Sequence, residues 1–305
     1  MKIGIIGNGN HSKRIQNILK KKKINFIIYK PKKPKYFDKL NYLKLLECNA
    51  IFIVSPNDSH FKYIKEFSKK GIYIFCEKPP VSRKSEFKKL IKLNHKKIYY
   101  NFNFRFSMLA QFLSSIKKYK LGKFLYGSII VAHGLALTER FKFNWRSNKS
   151  RTPMGIYEIV GVHWIDLINY FFGIKKLEKK NFSIKNIRNS IDNSYINIQT
   201  KDNSNIDVYC SYTSPLINEK KFIFQNGYIT QSDSFLEIRG PAKYIGKDKM
   251  FLKPPIIKKV MYSDRKDYEF GLYNSIDYFL KVIKQKKVFK NKDTLKSFQT
   301  NNLLF

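Results

Sequence analysis

Residues 2–12 read K-I-G-I-I-G-N-G-N-H-S. The run from Lys2 to Gly7 is short, apolar and rich in β-branched residues, which favours a buried strand. It ends at Gly7-Asn8-Gly9-Asn10, and a helical period through Ile15, Ile18 and Leu19 follows. Strand, glycine turn and helix in that order make a dinucleotide-binding unit. Gly7 permits the tight turn, and Gly9 lets backbone amides approach a pyrophosphate at the helix N-terminus. Asn10 and His11 open that helix, and Ser12 stands where a third glycine often packs.

The pattern continues outward. Ile24 to Tyr29 reads as a second strand, followed by the basic connector K-P-K-K-P-K over 30–35. Leu40 to Leu46 is helical in period, and Ala50 to Val54 is a buried strand. S-P-N-D-S-H at 55–60 starts a helix, with Asp58 or Ser59 as its cap, and Gly71 ends it. Ile72 to Cys76 and Ile98 to Phe102 are further strands, with Ser82 placed to cap a helix over 84–93. Strands alternating with helices imply a parallel sheet with crossovers. Beyond about residue 120 the texture changes. Strands are expected at 127–132, 195–200, 206–212, 221–224 and 235–238, interrupted by a helix at 155–172. The class is therefore α/β: a Rossmann domain over 1–120, then an α+β domain over 121–305 on a largely antiparallel sheet. A last helix near 268–284 is expected to return to the first domain.

Composition narrows the function classes. Hydrophobic residues make up 43% of 305, enough for folded domains. Cys48, Cys76 and Cys210 form no close pair, which argues against a disulfide framework or a metal knuckle and for a reducing, cytoplasmic setting. No leader-like or membrane-spanning apolar stretch is expected. The net charge is +38, yet only nine of the 60 basic residues are Arg. Base and phosphate recognition favours Arg in a localised patch, so neither a specific nucleic-acid partner nor a membrane partner is expected. The milder consequence is a positive field that draws anionic small molecules.

The edge of the parallel sheet collects the candidate site. Open α/β folds bind ligands outside the C-terminal ends of their strands. Ser55, Asn57 and His60 follow the third strand there. I-Y-I-F-C-E-K-P-P at 72–80 carries Glu77 and Lys78 to the same edge. A lysine beside a nicotinamide can hold a reacting oxygen and shuttle its proton if crowding lowers its pKa. A Lys78–Pro79 bond is a candidate for the cis form. An acid ending the second strand would signal NAD, but that region is basic from Lys30 and shows none before Asp38. The cofactor is thus NAD or NADP, with the balance toward NADP.

Four blocks resemble the Gfo/Idh/MocA family of NAD(P)-dependent sugar oxidoreductases, the glucose–fructose oxidoreductase and inositol dehydrogenase relatives. They are G-I-I-G-N-G-N-H at 4–11, A-I-F-I-V-S-P-N-D-S-H at 50–60, F-C-E-K-P at 75–79 and G-V-H-W-I-D-L at 161–167. N-F-R-F at 103–106 and N-W-R at 144–146 are also similar to family segments. The resemblance implies an open, mostly antiparallel second sheet that carries substrate contacts on one face and subunit contacts on the other. It implies that Lys78 is catalytic or substrate-binding and that Glu77 touches the nicotinamide ribose. It further implies that His163 is acid or base, that Asp166 binds a substrate hydroxyl, and that Trp145 and Arg146 reach the cofactor. Asn103 and Arg105 would position hydroxyls. His163 and Asp166, at i and i+3, share a helix face independently of any resemblance.

One departure stands out. Many members carry Asp four residues before the histidine; here that position is Ile159. Its neighbour Glu158, a further candidate for substrate contact, would point about 100° away on an α-helix and is not an automatic substitute. The expected activity is hydride transfer between nicotinamide and a carbinol or ketone carbon of a sugar, cyclitol or nucleotide-sugar, in a homo-dimer or homo-tetramer without metal. The alternative is a catalytically silent cofactor-binding relative.

Overall fold

Lys2–Ile6 forms strand β1, buried on both faces as its apolar run demands. In this computed structural model, which describes residues 1–30 and 39–305, the rest of the first sheet follows from it. The elements are α1 (Asn10–Lys21), β2 (Asn25–Tyr29), α2 (Lys39–Leu46), β3 (Ala50–Ile53), α3 (His60–Ser68), β4 (Tyr73–Glu77), α4 (Lys84–Leu90) and β5 (Ile98–Asn101). The sheet is parallel throughout, in the order β2-β1-β3-β4-β5. The chain reverses direction across the sheet between β1 and β3, the switch point at which doubly wound folds open a ligand crevice. Pro31 to Asp38, including most of the basic connector, lie outside the described residues.

Then come α5 (Met108–Ser114), β6 (Phe124–Ala132), α6 (Val162–Phe171), β7 (Ile174–Phe182), β8 (Asn193–Thr200), β9 (Asn205–Ser211), β10 (Ile217–Phe224), β11 (Gly227–Gln231), β12 (Phe235–Arg239) and β13 (Ile256–Met261). These strands form one sheet in the order β13-β12-β11-β10-β6-β9-β8-β7, antiparallel except for the β6–β9 pair. Helices α7 (Asp264–Lys284) and α8 (Asn291–Asn302) end the chain.

The compact units are residues 1–103 with 272–305, and residues 104–271. They divide differently from the expected 1–120 and 121–305. Residues 104–120 fall in the second unit because α5 is bonded there: the Met108 N–H donates to Asp267 Oδ1 at 2.7 Å, and Lys258 lies over the Phe112 ring at 4.8 Å. From Leu272 onward α7 belongs to the first unit. Its Phe279 meets the stacked rings of Phe52 and Phe75 edge-on at 5.2 and 5.3 Å. Ser275 bridges Tyr99 and Asn101. Asn301 of α8 donates to and accepts from the Val81 backbone, both at 3.0 Å. The expected cap at Ser82 is not made: Arg83 holds the N-cap position of α4, and Ser82 is buried.

In the second unit α6 covers one face of the eight-stranded sheet. Phe172 packs on Phe124 at 4.4 Å and stacks on Phe222 at 5.9 Å. Period-2 alternation places Lys220 on that same face as Phe222 and Phe224, so its amine is buried. It lies over the Trp164 ring at 4.7 Å and donates to Asn218. Burial pushes its pKa down to about 7 despite the carboxylates of Asp264, Asp267 and Asp233. The opposite face is polar around Asp207, which accepts from Tyr126, Tyr195 and Asn197 at 2.6–2.9 Å.

Candidate active site

The first unit carries its candidate residues on the C-terminal edge of the parallel sheet. Gly7 has φ +112°, and a Cβ there would lie 2.6 Å from the Val54 carbonyl oxygen, so only glycine fits. Its N–H donates to Tyr29 O at 2.9 Å, tying the turn to β2. Gly9 precedes α1, and a Cβ there would meet nothing within 4 Å. An open approach to the N-terminus of a twelve-residue helix is what a pyrophosphate requires. Ser12, in the third-glycine position, is buried and donates to Gly7 O at 2.8 Å. These residues fit the phosphates of a dinucleotide.

Glu77 ends β4 and Asn101 ends β5, opposite it in register. Asn101 donates to Glu77 Oε1 at 2.7 Å, and His11 Nε2 lies 2.6 Å from the same oxygen. Oε2 takes neither of these bonds. Burial works against the Glu77 charge, but His11, Asn101 and Lys78 outweigh it and hold the carboxyl below its usual range. A buried, ionised acceptor beside the glycine turn suits a ribose hydroxyl. Lys78 follows directly, half-buried, and its peptide bond to Pro79 is cis as the sequence reading expects.

His60 corrects the sequence reading. Its ring is fully buried, with Nδ1 2.9 Å from Pro79 O and Nε2 2.9 Å from Ser55 O. A neutral imidazole can donate to only one of these at a time, and burial lowers its pKa. The ring therefore donates to one of the two carbonyls, between the loops after β3 and β4, and its complete burial keeps it away from a cofactor. Ser55 Oγ pairs with Ser59 Oγ at 2.6 Å, and Ser59 donates to Pro56 O; Ser59, at the N-cap of α3, makes no side-chain cap bond. Asn57 is buried in the short turn Asn57–Ser59. Lys30 is exposed just beyond β2, whose last residue, Tyr29, is buried. Asn103 is buried after β5, with its amide nitrogen lacking a partner among the described residues.

The second unit holds the remaining candidates. Arg105 meets Asp166 of α6 in a two-pronged pair, Nε to Oδ2 at 2.8 Å and Nη2 to Oδ1 at 2.6 Å. The pair is 5% and 1% exposed. The guanidinium also stacks on Tyr170 at 4.9 Å. Asp166 thus has both oxygens engaged by Arg105, which makes it a positioning group first. His163 stacks on Phe104 at 4.4 Å and 22°. Trp145 and Arg146 form the short turn Trp145–Ser147, with the guanidinium over the indole at 4.8 Å.

The expected α-helix over 155–172 begins instead as a π-helical turn, Tyr157–Gly161, before α6. Bonds from i to i+5 widen the turn, so the 100° argument against Glu158 does not hold here. Glu158 lies inside this turn, is fully buried, and its Oε2 accepts from the Met154 N–H at 3.5 Å. Gly155 opens the turn at φ +52°, where a Cβ would lie 2.1 Å from Ile191 O.

Asn101 and Phe104 were not singled out by the sequence. Asn101 had a readable signal, since it ends the strand beside Glu77. Phe104 had none, because its role depends on how the 103–106 turn meets α6. Among the described residues no cluster of His, Cys, Asp and Glu could hold a metal ion, and no helix is long and apolar enough to cross a membrane.

Residues 1–100 match the family GFO_IDH_MocA, described as an oxidoreductase family with an NAD-binding Rossmann fold. No curated protein matches the chain. Among solved structures, levoglucosan dehydrogenase in complex with NADH is similar at TM-score 0.80 and 14% identity, covering 100% of this chain and 95% of that one. A myo-inositol dehydrogenase from Corynebacterium glutamicum is similar at TM-score 0.74 and 15% identity, covering 99% and 94%. A dehydrogenase (MviM) from Clostridium difficile is similar at TM-score 0.74 and 18% identity, covering 100% and 97%. At these identities the likeness establishes the fold. The family match itself spans residues 1–100, about a third of the chain, and carries the description of an NAD-binding Rossmann fold.

Proposed function

We propose that the chain is an NAD(P)-dependent oxidoreductase acting on a CH–OH group of a sugar, cyclitol or nucleotide-linked sugar. The observation that carries this reading is the edge of the first sheet. There a glycine turn that only Gly7 can make stands beside a buried, ionised Glu77, with Lys78 next in sequence. Gly7, Gly9 and the start of α1 would hold the pyrophosphate, and Glu77 would accept from the ribose of the nicotinamide end. A bound nicotinamide supplies the hydride acceptor or donor.

Each remaining role belongs to a residue of the chain. Lys78 Nζ holds the reacting oxygen by a charge-assisted hydrogen bond. His163 takes or returns the hydroxyl proton, with Glu158, buried five residues earlier, as the group that orients or recharges it. Arg105, fixed by Asp166, and Asn103 present donors to further hydroxyls. Trp145 and Arg146 contribute to holding the cofactor. Lys30 stands where an acid would select NAD, so NADPH is the expected preference. The same reading places the protein in the cytoplasm. It also makes the protein a homo-oligomer through the outer sheet face, which light scattering checks. A role in making surface-polysaccharide sugars follows weakly from the positive field.

The test is turnover of NADPH or NADH on a panel of sugars, cyclitols and nucleotide-sugars, with Lys78→Met and His163→Gln variants. Wild-type turnover that both variants lose supports the reading. A Lys78→Met enzyme with full kcat overturns the mechanism. A second reading, a cofactor-binding relative without turnover, is favoured by Ile159. It predicts saturable cofactor binding, no reaction on the whole panel, and turnover appearing with Ile159→Asp.

A further inference from the structure

Residues 243–253, K-Y-I-G-K-D-K-M-F-L-K, form a small ordered hairpin between β12 and β13. The Leu252 N–H donates to Tyr244 O and the Gly246 N–H to Met250 O, both at 2.9 Å, and Ile245 pairs with Phe251. Tyr244 Oη donates to Asn226 at 2.7 Å, anchoring the base. Such ordering normally accompanies burial of apolar side chains. Here the reverse holds: Phe251 is 87% exposed and Met250 65%, and Tyr244, Ile245 and Leu252 are exposed as well. Lys243, Lys247, Lys249 and Lys253 are exposed among them, against the single acid Asp248.

Side chains alternate across a hairpin, so neighbours in sequence point to opposite faces. Ile245 and Phe251 therefore lie on one face, with Tyr244, Met250 and Leu252 on the other. A protein partner laid against the hairpin covers one face and leaves the other wet. A lipid interface surrounds both. Lysines interleaved with aliphatic and aromatic residues are the composition of interfacial segments, whose apolar groups enter the headgroup boundary while ammonium groups meet lipid phosphates. The chain's +38 charge supplies the attraction to an anionic surface. Four lysines against one acid also oppose laying two copies of this hairpin on each other. The hairpin contains no Arg and is richer in aliphatic than in stacking side chains, which disfavours nucleic acid.

We propose that the 243–253 hairpin is a membrane-docking element that seats the protein peripherally on anionic phospholipid bilayers. This contact is reversible and involves no spanning segment.

The experiment is co-sedimentation of the full chain with vesicles of phosphatidylcholine, or of phosphatidylcholine mixed with phosphatidylglycerol. Binding to the anionic vesicles alone, weakened by salt, is expected. Lys247→Gln with Lys249→Gln should lower partitioning on the order of thirtyfold, from ~1 kcal/mol per basic residue near the surface. Phe251→Ser with Met250→Ser should abolish the salt-resistant part. Both side chains are exposed, so the fold has no reason to change, and circular dichroism checks it. Phe143→Ser, equally exposed at 87% but elsewhere on the second unit, should bind as wild type. The proposal is overturned by wild-type binding in both hairpin variants, or by no binding to anionic vesicles. It is equally overturned if the hairpin variants alter oligomeric state or retention on an RNA homopolymer while vesicle binding is nil.

Discussion

Replacing Asp166 by Asn removes the counter-charge of a guanidinium that is only 5% exposed, while keeping the volume of the side chain. Arg105 would then be buried with an amide where it had two charge-assisted bonds of 2.8 and 2.6 Å. Breaking a buried pair from one side costs about 3–5 kcal/mol, mostly the price of the stranded charge. For a unit of this size about 2–4 °C is lost per kcal/mol, so the melting temperature should fall on the order of 10 °C. Urea unfolding at neutral pH measures the loss. An Arg105→Met, Asp166→Leu double variant should recover part of it, because nothing charged is left buried. The expected kinetic signature is a raised KM for the sugar with little change in NADH affinity, since the glycine turn and Glu77 proposed to hold the dinucleotide lie in the other unit. A loss below about 1 kcal/mol, the range of exposed pairs, would refute the reasoning and leave Asp166 a direct substrate ligand only.

Other outcomes follow from the same geometry. Glu77→Gln should weaken NADH binding roughly tenfold to a hundredfold, the worth of a hydrogen bond to a charged group, read by fluorescence titration. Burial lowers the Lys220 pKa from the ordinary 10.5 to about 7, so the unfolded chain binds more protons between those values and stability rises with pH there. Between pH 7 and 9 the wild type should gain about 1.4 kcal/mol per pH step relative to Lys220→Met; parallel curves would sink this. Gly7→Ala forces a Cβ into the left-handed region and against Val54 O, and should cost about 2 kcal/mol or more along with cofactor binding.

Much of the first unit was legible because each of its signals is local. A β-branched run, a glycine turn and a helical period are read from neighbours in sequence, and β1, β2, β3 and β4 fall within a residue or two of expectation. The boundary at 120 was not legible, because α5 is claimed by Asp267, far along the chain. β7 and β13 escaped for the opposite reason: lysine-rich exposed strands show no apolar alternation. The π turn was invisible too, since nothing in Tyr157–Gly161 marks a widened helix. His60 was placed at the right edge, but its two backbone carbonyl partners come from loops that only the fold brings together.

The central claim is that the first unit holds a nicotinamide dinucleotide. Titration of the purified chain with NADPH and NADH, followed by nicotinamide fluorescence, tests it most directly. The account predicts saturable binding at one site per chain, weakened by Glu77→Gln and abolished by Gly7→Ala, with NADPH the tighter ligand. A flat titration with both dinucleotides, from protein that circular dichroism shows to be folded, would contradict it.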